Sequence, residues 1–345
     1  MFLLFFCLGT ASAGERVVLE RRVVAMGTLL TVTVGATTRQ EALEATERAI
    51  RAVERTEARL STWRSDSELA ELNRAPVGAE MEISPELAAD LGAAVGWSEA
   101  TGGAFDPGIG ALVAAWGLRG AGRLPDPAEL AVALAGSGRE KLEIAGRRVR
   151  RRHAGLVVEE GGFGKGVALD EALREAGRTR MALDFGGQFA VSSGPGVTVV
   201  IADPATRSEA VASLTIASGS IATSGNGERG LIVDGRSIGH IIDPRTGAPA
   251  PEFGSVTVWA RSATAADCLS TGLYVMGPEG ALRWAAAHPE IGVVVVEKVG
   301  GATRVRATHT MRACIAGRDV EFVGGVAAES ETRSCENRTG RREAR

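Results

Sequence analysis

The sequence predicts an α+β fold, in which helices and strands occupy separate stretches of one large domain. Apolar residues recur at helical spacing near the beginning, over residues 39–60 and 85–101. Short runs rich in Val, Ile and Thr dominate residues 181–261. The chain shows no repeat of fixed period and no regular alternation of strand and helix, so we expect mixed, mainly antiparallel sheets with flanking helices.

The first elements are a strand pair and two helices. Alternating Val, Leu and Thr over residues 17–34 surround Met26-Gly27-Thr28, which predicts strand, tight turn, strand. A helix is expected over residues 39–60, and a second over 85–101 after the capping residue Ser84. Residues 105–118 are expected to form a glycine-bounded turn that leads into a short helix, and a further short helix is expected over 125–135.

A hairpin is expected where residues 141–144 and 148–152 flank Ala145-Gly146. Five of the six residues from Arg147 to Arg152 are arginine. A patch for polyanions is one interpretation of this run, but a solvated strand face is the more common origin of such charges, and we prefer it.

The remaining elements lead to a polar C-terminus. A helix is expected from Gly166 to about Gly177, and helices over 263–276 and 278–287 follow the strand region. Strands are expected over 181–185, 189–192, 197–202, 211–216, 231–242, 255–261 and 291–296. From Gly300 onward the chain becomes polar and finally basic. We therefore expect a domain over residues 14–299 and a mobile tail over 300–345.

Composition bears on the class of protein. The 345 residues carry a net charge of −3, which gives no basis for a nucleic-acid surface. The chain contains 45 glycines, nearly twice the usual share, without a low-complexity period. Many of them follow apolar runs, where backbone turns sharply or approaches a ligand closely.

The first residues have the pattern of an export signal. The apolar run Phe2–Leu8 precedes Ala11-Ser12-Ala13, which fits a signal-peptidase site. We therefore expect a signal peptide over residues 1–13, cleavage after Ala13 and a periplasmic protein. No Lys or Arg precedes the apolar run, so the true start of the signal stays open.

Three cysteines follow the expected signal peptide. Cys268 lies beside Asp267 in an apolar helix and is expected to be a core residue without chemistry. Cys314 and Cys335 lie near the C-terminus, where an oxidising compartment permits a disulfide. The sequence alone does not establish that pairing.

Asp267 and Thr271 are four residues apart in a segment that otherwise has the pattern of an apolar helix. They would share one helical face. Two oxygen ligands from one turn suit Mg²⁺, which takes few protein carboxylates and leaves other positions to water and phosphate oxygens. A polar stripe on a half-buried helix is the alternative.

Five further segments combine small residues with one or two polar groups at the ends of apolar elements. Residues 159–166 contain four glycines and Lys165, a combination that resembles a phosphate cradle but lacks the spacing of a Walker A loop. The other four segments are residues 101–107, 182–188, 221–226 and 239–247. We expect the five to converge on one pocket.

These segments resemble the ApbE family of flavin transferases, from Met26 to about Val296. The motifs agree with that family in order and spacing. They are Met26-Gly27-Thr28, Ser61 to Leu69 with Asn73, Gly103 to Pro107 with Trp116-Gly117, Gly161 to Gly166 with Asp170, Thr223-Ser224-Gly225, His240 to Gly247, and Asp267 to Thr271. The resemblance implies a single T-fold-like domain that uses FAD as its substrate.

The resemblance also implies roles for individual residues. The flavin-contacting positions would be Met26, Trp63, Ala104, Phe105, Asp106, Glu159, Lys165 and Ile241. Mg²⁺ would be held by the carbonyl of Gly162, the carboxylate of Asp267 and the hydroxyl of Thr271. The chain departs from the family pattern at three positions: Glu159 replaces the usual aspartate, Val167 a common aromatic, and Gln188 an Asp, Glu or Asn.

By resemblance, the expected reaction is Mg²⁺-dependent transfer of FMN from FAD to a Thr or Ser hydroxyl of an acceptor protein, with release of AMP. His240 is the expected general base, because an imidazole accepts protons near neutral pH. The acceptor would be a subunit of a membrane redox complex, and the enzyme would lie peripheral to the inner membrane. The alternatives are an FAD pyrophosphatase that yields FMN and AMP, and a non-catalytic periplasmic FAD-binding protein.

Overall fold

Seven α-helices form within the described part of the chain. The computed structural model describes residues 17–193, 196–204, 206–226, 231–233, 236–317 and 319–324, so the expected signal peptide lies outside it. The helices are α1 (Arg39–Leu60), α2 (Glu68–Arg74), α3 (Pro85–Ala100), α4 (Gly110–Ala115), α5 (Pro127–Gly136), α6 (Gly164–Ala176) and α7 (Ala263–Ala286). None of them is long and apolar enough to cross a membrane.

Local sequence explains where the long helices begin and break. The Thr38 hydroxyl accepts from the Glu41 N–H while the Glu41 carboxylate accepts from the Thr38 N–H, a capping box that starts α1. The Ser262 hydroxyl accepts from the Ala265 N–H and caps the start of α7. Gly277 adopts a φ of 72° before Pro278, which breaks α7 at the point where the sequence predicts two separate helices.

Seventeen strands are present in the described residues, mostly in antiparallel pairs. They are β1 (Val17–Ala25), β2 (Thr28–Ala36), β3 (Glu80–Glu82), β4 (Leu142–Ala145), β5 (Arg148–Arg151), β6 (Arg180–Phe185), β7 (Gln188–Val191), β8 (Val197–Ala202), β9 (Ala210–Ile216), β10 (Gly219–Ser224), β11 (Leu231–Val233), β12 (Arg236–Ile238), β13 (Gly254–Ala260), β14 (Gly292–Val299), β15 (Ala302–Thr308), β16 (Ile315–Gly317) and β17 (Val320–Val323). The predicted α+β class is confirmed.

Nine strands form one sheet in the order β1-β2-β6-β7-β10-β13-β14-β15-β17. All its neighbours are antiparallel except β15 and β17, which are parallel. Alternation along the strands separates its two faces. Leu183 and Val258 pack under the helices, whereas Phe189 and Val294 pack against the three-stranded sheet β16-β9-β8.

The helical face of the large sheet carries the elements that form the site. Helices α1 and α6 cover its β1-β2-β6 end, and α7 covers β10, β13 and β14. A further layer, which includes α2, α3 and the small sheet β3-β5-β4, packs over α6 and α7 through a buried cluster containing Phe105, Phe163 and Val167. Helices packed on the large sheet therefore form one side of the site, and the more irregular further layer forms the opposite side.

The arginine-rich strand β5 is neutralised by neighbouring carboxylates. Arg148 and Arg150 pair with Glu80, and Arg150 and Arg152 pair with Glu143. Most of these side chains are exposed or half-exposed, so the pairs contribute little to stability. The contacts agree with the solvated strand face rather than with a polyanion patch.

Two segments differ from the expected secondary structure. The single strand predicted over residues 231–242 is a short hairpin, β11 and β12, and Ile242 forms only an isolated bridge with Pro249. The sequence predicts no strand over residues 219–224, but they form β10 in the middle of the large sheet. Hydroxyl-bearing Thr and Ser obscure this strand, because half of its positions face the cavity.

The predicted domain boundary at residue 299 is wrong. Strand β15 pairs with β14, β17 pairs with β15, and β16 joins β9, so residues 302–323 belong to the folded domain. Their polar character has a structural explanation: the buried Arg306 guanidinium pairs with Glu297 and Glu279.

Two cysteines of the domain are buried and differ in their bonding. Cys314 is disulfide-bonded, but Cys335 lies outside the described residues, so their pairing stays a prediction. Cys268 is free and fully buried, as expected for a core residue.

Helices α6 and α7 cross at a glycine. A Cβ atom at Gly166 would lie 2.5 Å from the carbonyl oxygen of Ala263 and 2.6 Å from the Cα of Thr264. Backbone atoms cannot rotate away as a side chain can, so a larger residue must separate the two helices.

We expect Gly166→Ala to lower the free energy of unfolding by about 2–3 kcal/mol, because the added methyl group overpacks this crossing. Denaturant unfolding followed by circular dichroism measures the change. Gly92→Ala is the control: Gly92 lies in α3, and a Cβ atom added there would meet nothing within 4 Å, so this variant should gain up to about 1 kcal/mol of helix propensity. Equal stability of the two variants would contradict the steric role of Gly166.

Candidate active site

The main cavity lies between the helical face of the sheet and the loops above it. Its volume is about 400 Å³. Eleven of the twelve predicted site residues line it. They are Trp63, Ala104, Phe105, Asp106, Glu159, Gly162, Lys165, His240, Ile241, Asp267 and Thr271. Gln188 and Thr223 line it as well, so all five segments that the sequence predicted to converge contribute to the cavity.

Asp170 positions the beginning of α7. One carboxylate oxygen accepts from the Ala263 N–H at 2.7 Å, and the other accepts from the Thr264 N–H at 2.9 Å. The hydroxyl groups of Ser262 and Thr264 also donate to Asp170, at 2.7 and 2.8 Å. Asp170 on α6 thus accepts four hydrogen bonds from the start of α7, two of them from backbone N–H groups that lack a partner within the helix. Asp267 follows one turn later, so the contacts of Asp170 with the start of α7 also fix the position of Asp267.

Asp267 is the buried carboxylate at the inner end of the cavity. Its Oδ2 accepts a hydrogen bond of 2.9 Å from the Gly166 N–H, and its Oδ1 lies 3.4 Å from the Lys165 ammonium. The residue is 5% exposed. A buried carboxylate needs such partners, and one N–H with one rather distant lysine leaves lone pairs for a further ligand.

Gly162 and Thr271 lie close to each other beside this carboxylate. A Cβ atom at Gly162 would lie 3.6 Å from the Thr271 hydroxyl oxygen and would clash with the Phe105 ring at 2.9 Å. Glycine therefore lets the loop backbone approach α7. A carboxylate, a hydroxyl and a carbonyl oxygen are hard ligands, and this set of donors fits Mg²⁺.

Two adjacent carboxylates, Glu159 and Glu160, lie at the rim under a network of hydrogen bonds. The Thr62 N–H donates to Glu160 at 3.1 Å, and the Thr62 hydroxyl contacts both carboxylates. Burial raises the pKa of Glu159, and the Arg119 guanidinium opposes that rise. The positive charge of Arg119 thus favours the ionised form of the Glu159 carboxylate.

Asp106 lines the cavity, but both of its carboxylate oxygens accept hydrogen bonds from neighbouring segments of the protein. Oδ1 accepts from the Gly108 N–H at 2.7 Å, and Oδ2 accepts from the Arg139 N–H at 3.0 Å and from the Ser98 hydroxyl. Burial raises the pKa of Asp106, against the effect of these donors. The structure thus gives Asp106 a role in shaping the cavity wall.

His240 and Ile241 enter the cavity from the segment after β12. The Asn226 side chain fixes this segment: its Oδ1 accepts from the Ile241 N–H at 3.0 Å, and its Nδ2 donates to the Ala250 carbonyl at 2.8 Å. The following turn is closed by Asp243, whose carboxylate accepts from the Arg245 N–H and pairs with the Arg245 side chain. Asp243 therefore has a structural role in this turn.

Met26 is the predicted site residue that the structure leaves outside the cavity lining. It adopts a φ of 44° in the turn between β1 and β2, and its methyl group lies near Gly164 in the first turn of α6. The left-handed turn directs the side chain against the helix. A flavin contact for Met26 therefore stays a prediction.

Three groups of lining residues were not singled out as site residues from the sequence. Arg119 lies in the glycine-rich segment after Trp116, where no periodicity indicates a role. Ser224 donates to Ser270, which donates to the Asp267 carbonyl. Gln188 donates to the Ala263 carbonyl at 2.8 Å and supports α7 from the sheet. Long-range contacts of this kind leave no local sequence signal.

An α+β domain whose cavity combines a lysine, a buried carboxylate and glycine-lined backbone has the features of a protein that binds phosphate esters. The family model described as the ApbE family matches residues 26–295. The chain belongs to the ApbE family.

Known proteins extend this match to sequence and to fold. The FAD:protein FMN transferase of Klebsiella pneumoniae strain 342 is 34% identical over 64% of this chain and 68% of its own length. The ApbE protein of Thermotoga maritima superposes with a TM-score of 0.76 and 29% identity, covering 83% of this chain and 96% of its own. The flavin transferase ApbE of Vibrio cholerae has the same TM-score, with 26% identity over 87% and 100%.

Proposed function

We propose that this chain is a Mg²⁺-dependent FAD:protein FMN transferase, which moves FMN from FAD to a Thr or Ser hydroxyl of an acceptor protein and releases AMP. Membership of the ApbE family and the names of its relatives support the transferase activity. The observation that carries the proposal is the grouping of Gly162, Asp267 and Thr271 beside Lys165 at the inner end of the cavity.

The inner end of the cavity suits a diphosphate. Lys165 supplies a positive charge, and Gly162 brings the loop backbone close to Thr271 of α7. Gly162, Asp267 and Thr271 would hold Mg²⁺, which supplies charge neutralisation to phosphate oxygens when bound. The flavin ring would lie towards Trp63 and Phe105, where aromatic surface lines the same cavity.

The reaction balances without a further co-reactant. The acceptor hydroxyl oxygen forms a bond to the FMN-side phosphorus while the bond from that phosphorus to the bridging oxygen breaks, and AMP departs with that oxygen. His240 lines the cavity and takes the hydroxyl proton as general base. Lys165 stabilises negative charge on the diphosphate, so the chain contributes mainly alignment and electrostatics.

The site of action proposed here is the periplasm. The apolar N-terminal run and the Ala11-Ser12-Ala13 site support export with cleavage after Ala13. The acceptor would be a subunit of a membrane redox complex, with the enzyme peripheral to the inner membrane. Fractionation of cells that produce the full chain, with sequencing of the mature N-terminus, tests this location.

Incubation with FAD, Mg²⁺ and a candidate acceptor protein distinguishes the proposed activity from its alternatives. Transfer yields flavin fluorescence on the acceptor band in a denaturing gel, together with one AMP per flavin attached. A pyrophosphatase would instead yield free FMN and AMP, and a storage protein would leave FAD intact. Either of those results, obtained with several acceptors, would contradict the transferase proposal.

Asp267→Asn should lower the transfer rate by about 100-fold or more, because the carboxylate charge that favours Mg²⁺ is lost. The Asn oxygen can still accept from the Gly166 N–H, so the fold should persist. Thermal unfolding with FAD should show stabilisation by added Mg²⁺ in the original protein and little in the variant. Asp66→Asn, at an exposed carboxylate, is the control; Mg²⁺-dependent stabilisation that survives in Asp267→Asn would contradict this metal site.

His240→Ala should lower the transfer rate by about 100-fold to 10,000-fold, because no group remains to take the proton from the acceptor hydroxyl. Its FAD dissociation constant should stay within about threefold of the original, since the proton matters in the chemical step. His153→Ala, in the loop after β5, is the matched control. A His240→Ala protein that binds FAD and transfers at the normal rate would remove His240 from the mechanism.

A further inference from the structure

Arg119 connects three loops at the rim of the cavity. Its guanidinium donates to the Thr62 carbonyl at 2.9 Å and to the two carboxylate oxygens of Glu159 at 2.8 and 2.6 Å. It also contacts the Thr62 hydroxyl. Thr62 follows α1, Arg119 follows α4 and Glu159 precedes α6, so one side chain joins segments far apart in sequence.

The same guanidinium lies over the Trp63 indole, with its central carbon 4.9 Å from the ring centre. A cation at this distance attracts the ring face. Trp63 itself is 69% exposed, so little else restrains it, and the ring keeps surface for a flat ligand. Because Arg119 already restrains the indole, the indole loses less conformational freedom when a ligand stacks on it.

From these contacts we propose that Arg119 is a positioning residue for FAD: it holds the Trp63 ring and the Glu159 carboxylate in the arrangement that the flavin end of FAD meets. The proposal rests on the proposed function, since it assumes that FAD occupies the cavity. It extends that function by assigning a role to a residue of the segment between α4 and α5.

Electrostatics at the rim support the pairing of Arg119 with Glu159. The Glu159 side chain is 14% exposed, and burial raises its pKa, as does the neighbouring Glu160. Arg119 opposes both effects by its charge and hydrogen bonds. Lys165, Asp267 and His240 line the same cavity farther along. Without Arg119, the Glu159 pKa should therefore rise further, and its carboxylate should lose a proton only at higher pH.

The planar fork of arginine matters as much as its charge. One terminal nitrogen, Nη2, reaches both carboxylate oxygens of Glu159, and the other, Nη1, reaches the Thr62 carbonyl, while the guanidinium carbon lies over the indole. Lysine has a single nitrogen and cannot reproduce this arrangement. Lysine at this position would retain the charge beside Glu159 and lose the fixed geometry. Arg119→Lys should therefore restore part of the function lost in Arg119→Met.

We expect Arg119→Met to raise the dissociation constant and the KM for FAD about tenfold or more, with kcat within about threefold. The affinity for FAD should fall as the pH is lowered, because protonated Glu159 loses an acceptor. In Arg119→Met this fall should begin at a higher pH than in the original protein. The FAD dissociation constant of Arg119→Lys should lie between those of the original protein and Arg119→Met. Arg123→Met is the control, because Arg123 pairs with exposed Glu129 and does not line the cavity.

Titration of FAD by flavin fluorescence from about pH 5.5 to 8.5 measures these effects. Adding Glu159→Gln to Arg119→Met should remove the extra pH dependence. Equal FAD affinity of Arg119→Met and the original protein at every pH would overturn the proposal. So would a loss of affinity that is independent of pH and equally large in Arg119→Lys, since that pattern indicates a general structural defect.

A measurement without FAD separates this proposal from the proposed function. Acrylamide quenching of tryptophan emission should increase in Arg119→Met, and the increase should disappear when Trp63→Phe is added. Failure of the original protein to bind FAD would sink the proposed function, whereas unchanged quenching in Arg119→Met would sink the positioning of Trp63 by Arg119.

Discussion

The close crossing of α6 and α7 is the constraint on which the rest of the site depends. Gly166 lies against the backbone of Ala263 and Thr264, and Asp170 on α6 ties the first turn of α7 with four hydrogen bonds. Asp267 lies one turn farther along α7, where the Gly166 N–H meets its carboxylate. Because packed helices transmit small displacements to the side chains they carry, the position of Asp267 follows from this crossing.

The carboxylates of the cavity differ because their partners differ. Asp106 accepts hydrogen bonds from two backbone N–H groups and one hydroxyl, so its charge stabilises the cavity wall. Glu159 faces a guanidinium at the rim. Asp267 has one N–H and a lysine at 3.4 Å, which leaves it able to bind a cation. Carboxylates of one cavity thus differ in the acceptor capacity left for a ligand, according to how many donors the fold supplies.

Much of the fold could be predicted from local sequence, because capping and periodicity act over a few residues. The start of α3 after Ser84 and the break at Gly277 are examples. Spacing within one helix also placed Asp267 and Thr271 together. Strand β10 and the strands after residue 300 were missed, because their polar residues are satisfied by distant partners, such as Thr257 for Thr223 and Glu279 for Arg306. Arg119 was missed for the same reason: its contacts with Thr62 and Glu159 span 57 and 40 residues.

The two ends of the cavity are built differently, and this difference suits the separate tasks proposed for them. Asp267 and Thr271 lie on a helix that packs against the central sheet, so the inner end is rigid before any ligand arrives. Trp63 and Arg119 lie in loops that meet through side chains, so the rim can adjust at lower cost. Phosphoryl transfer tolerates little misplacement of the reacting atoms, whereas a flat ring tolerates small shifts along an aromatic face. Selection for chemistry should therefore act mainly on the helix crossing, and selection for flavin affinity mainly on the rim.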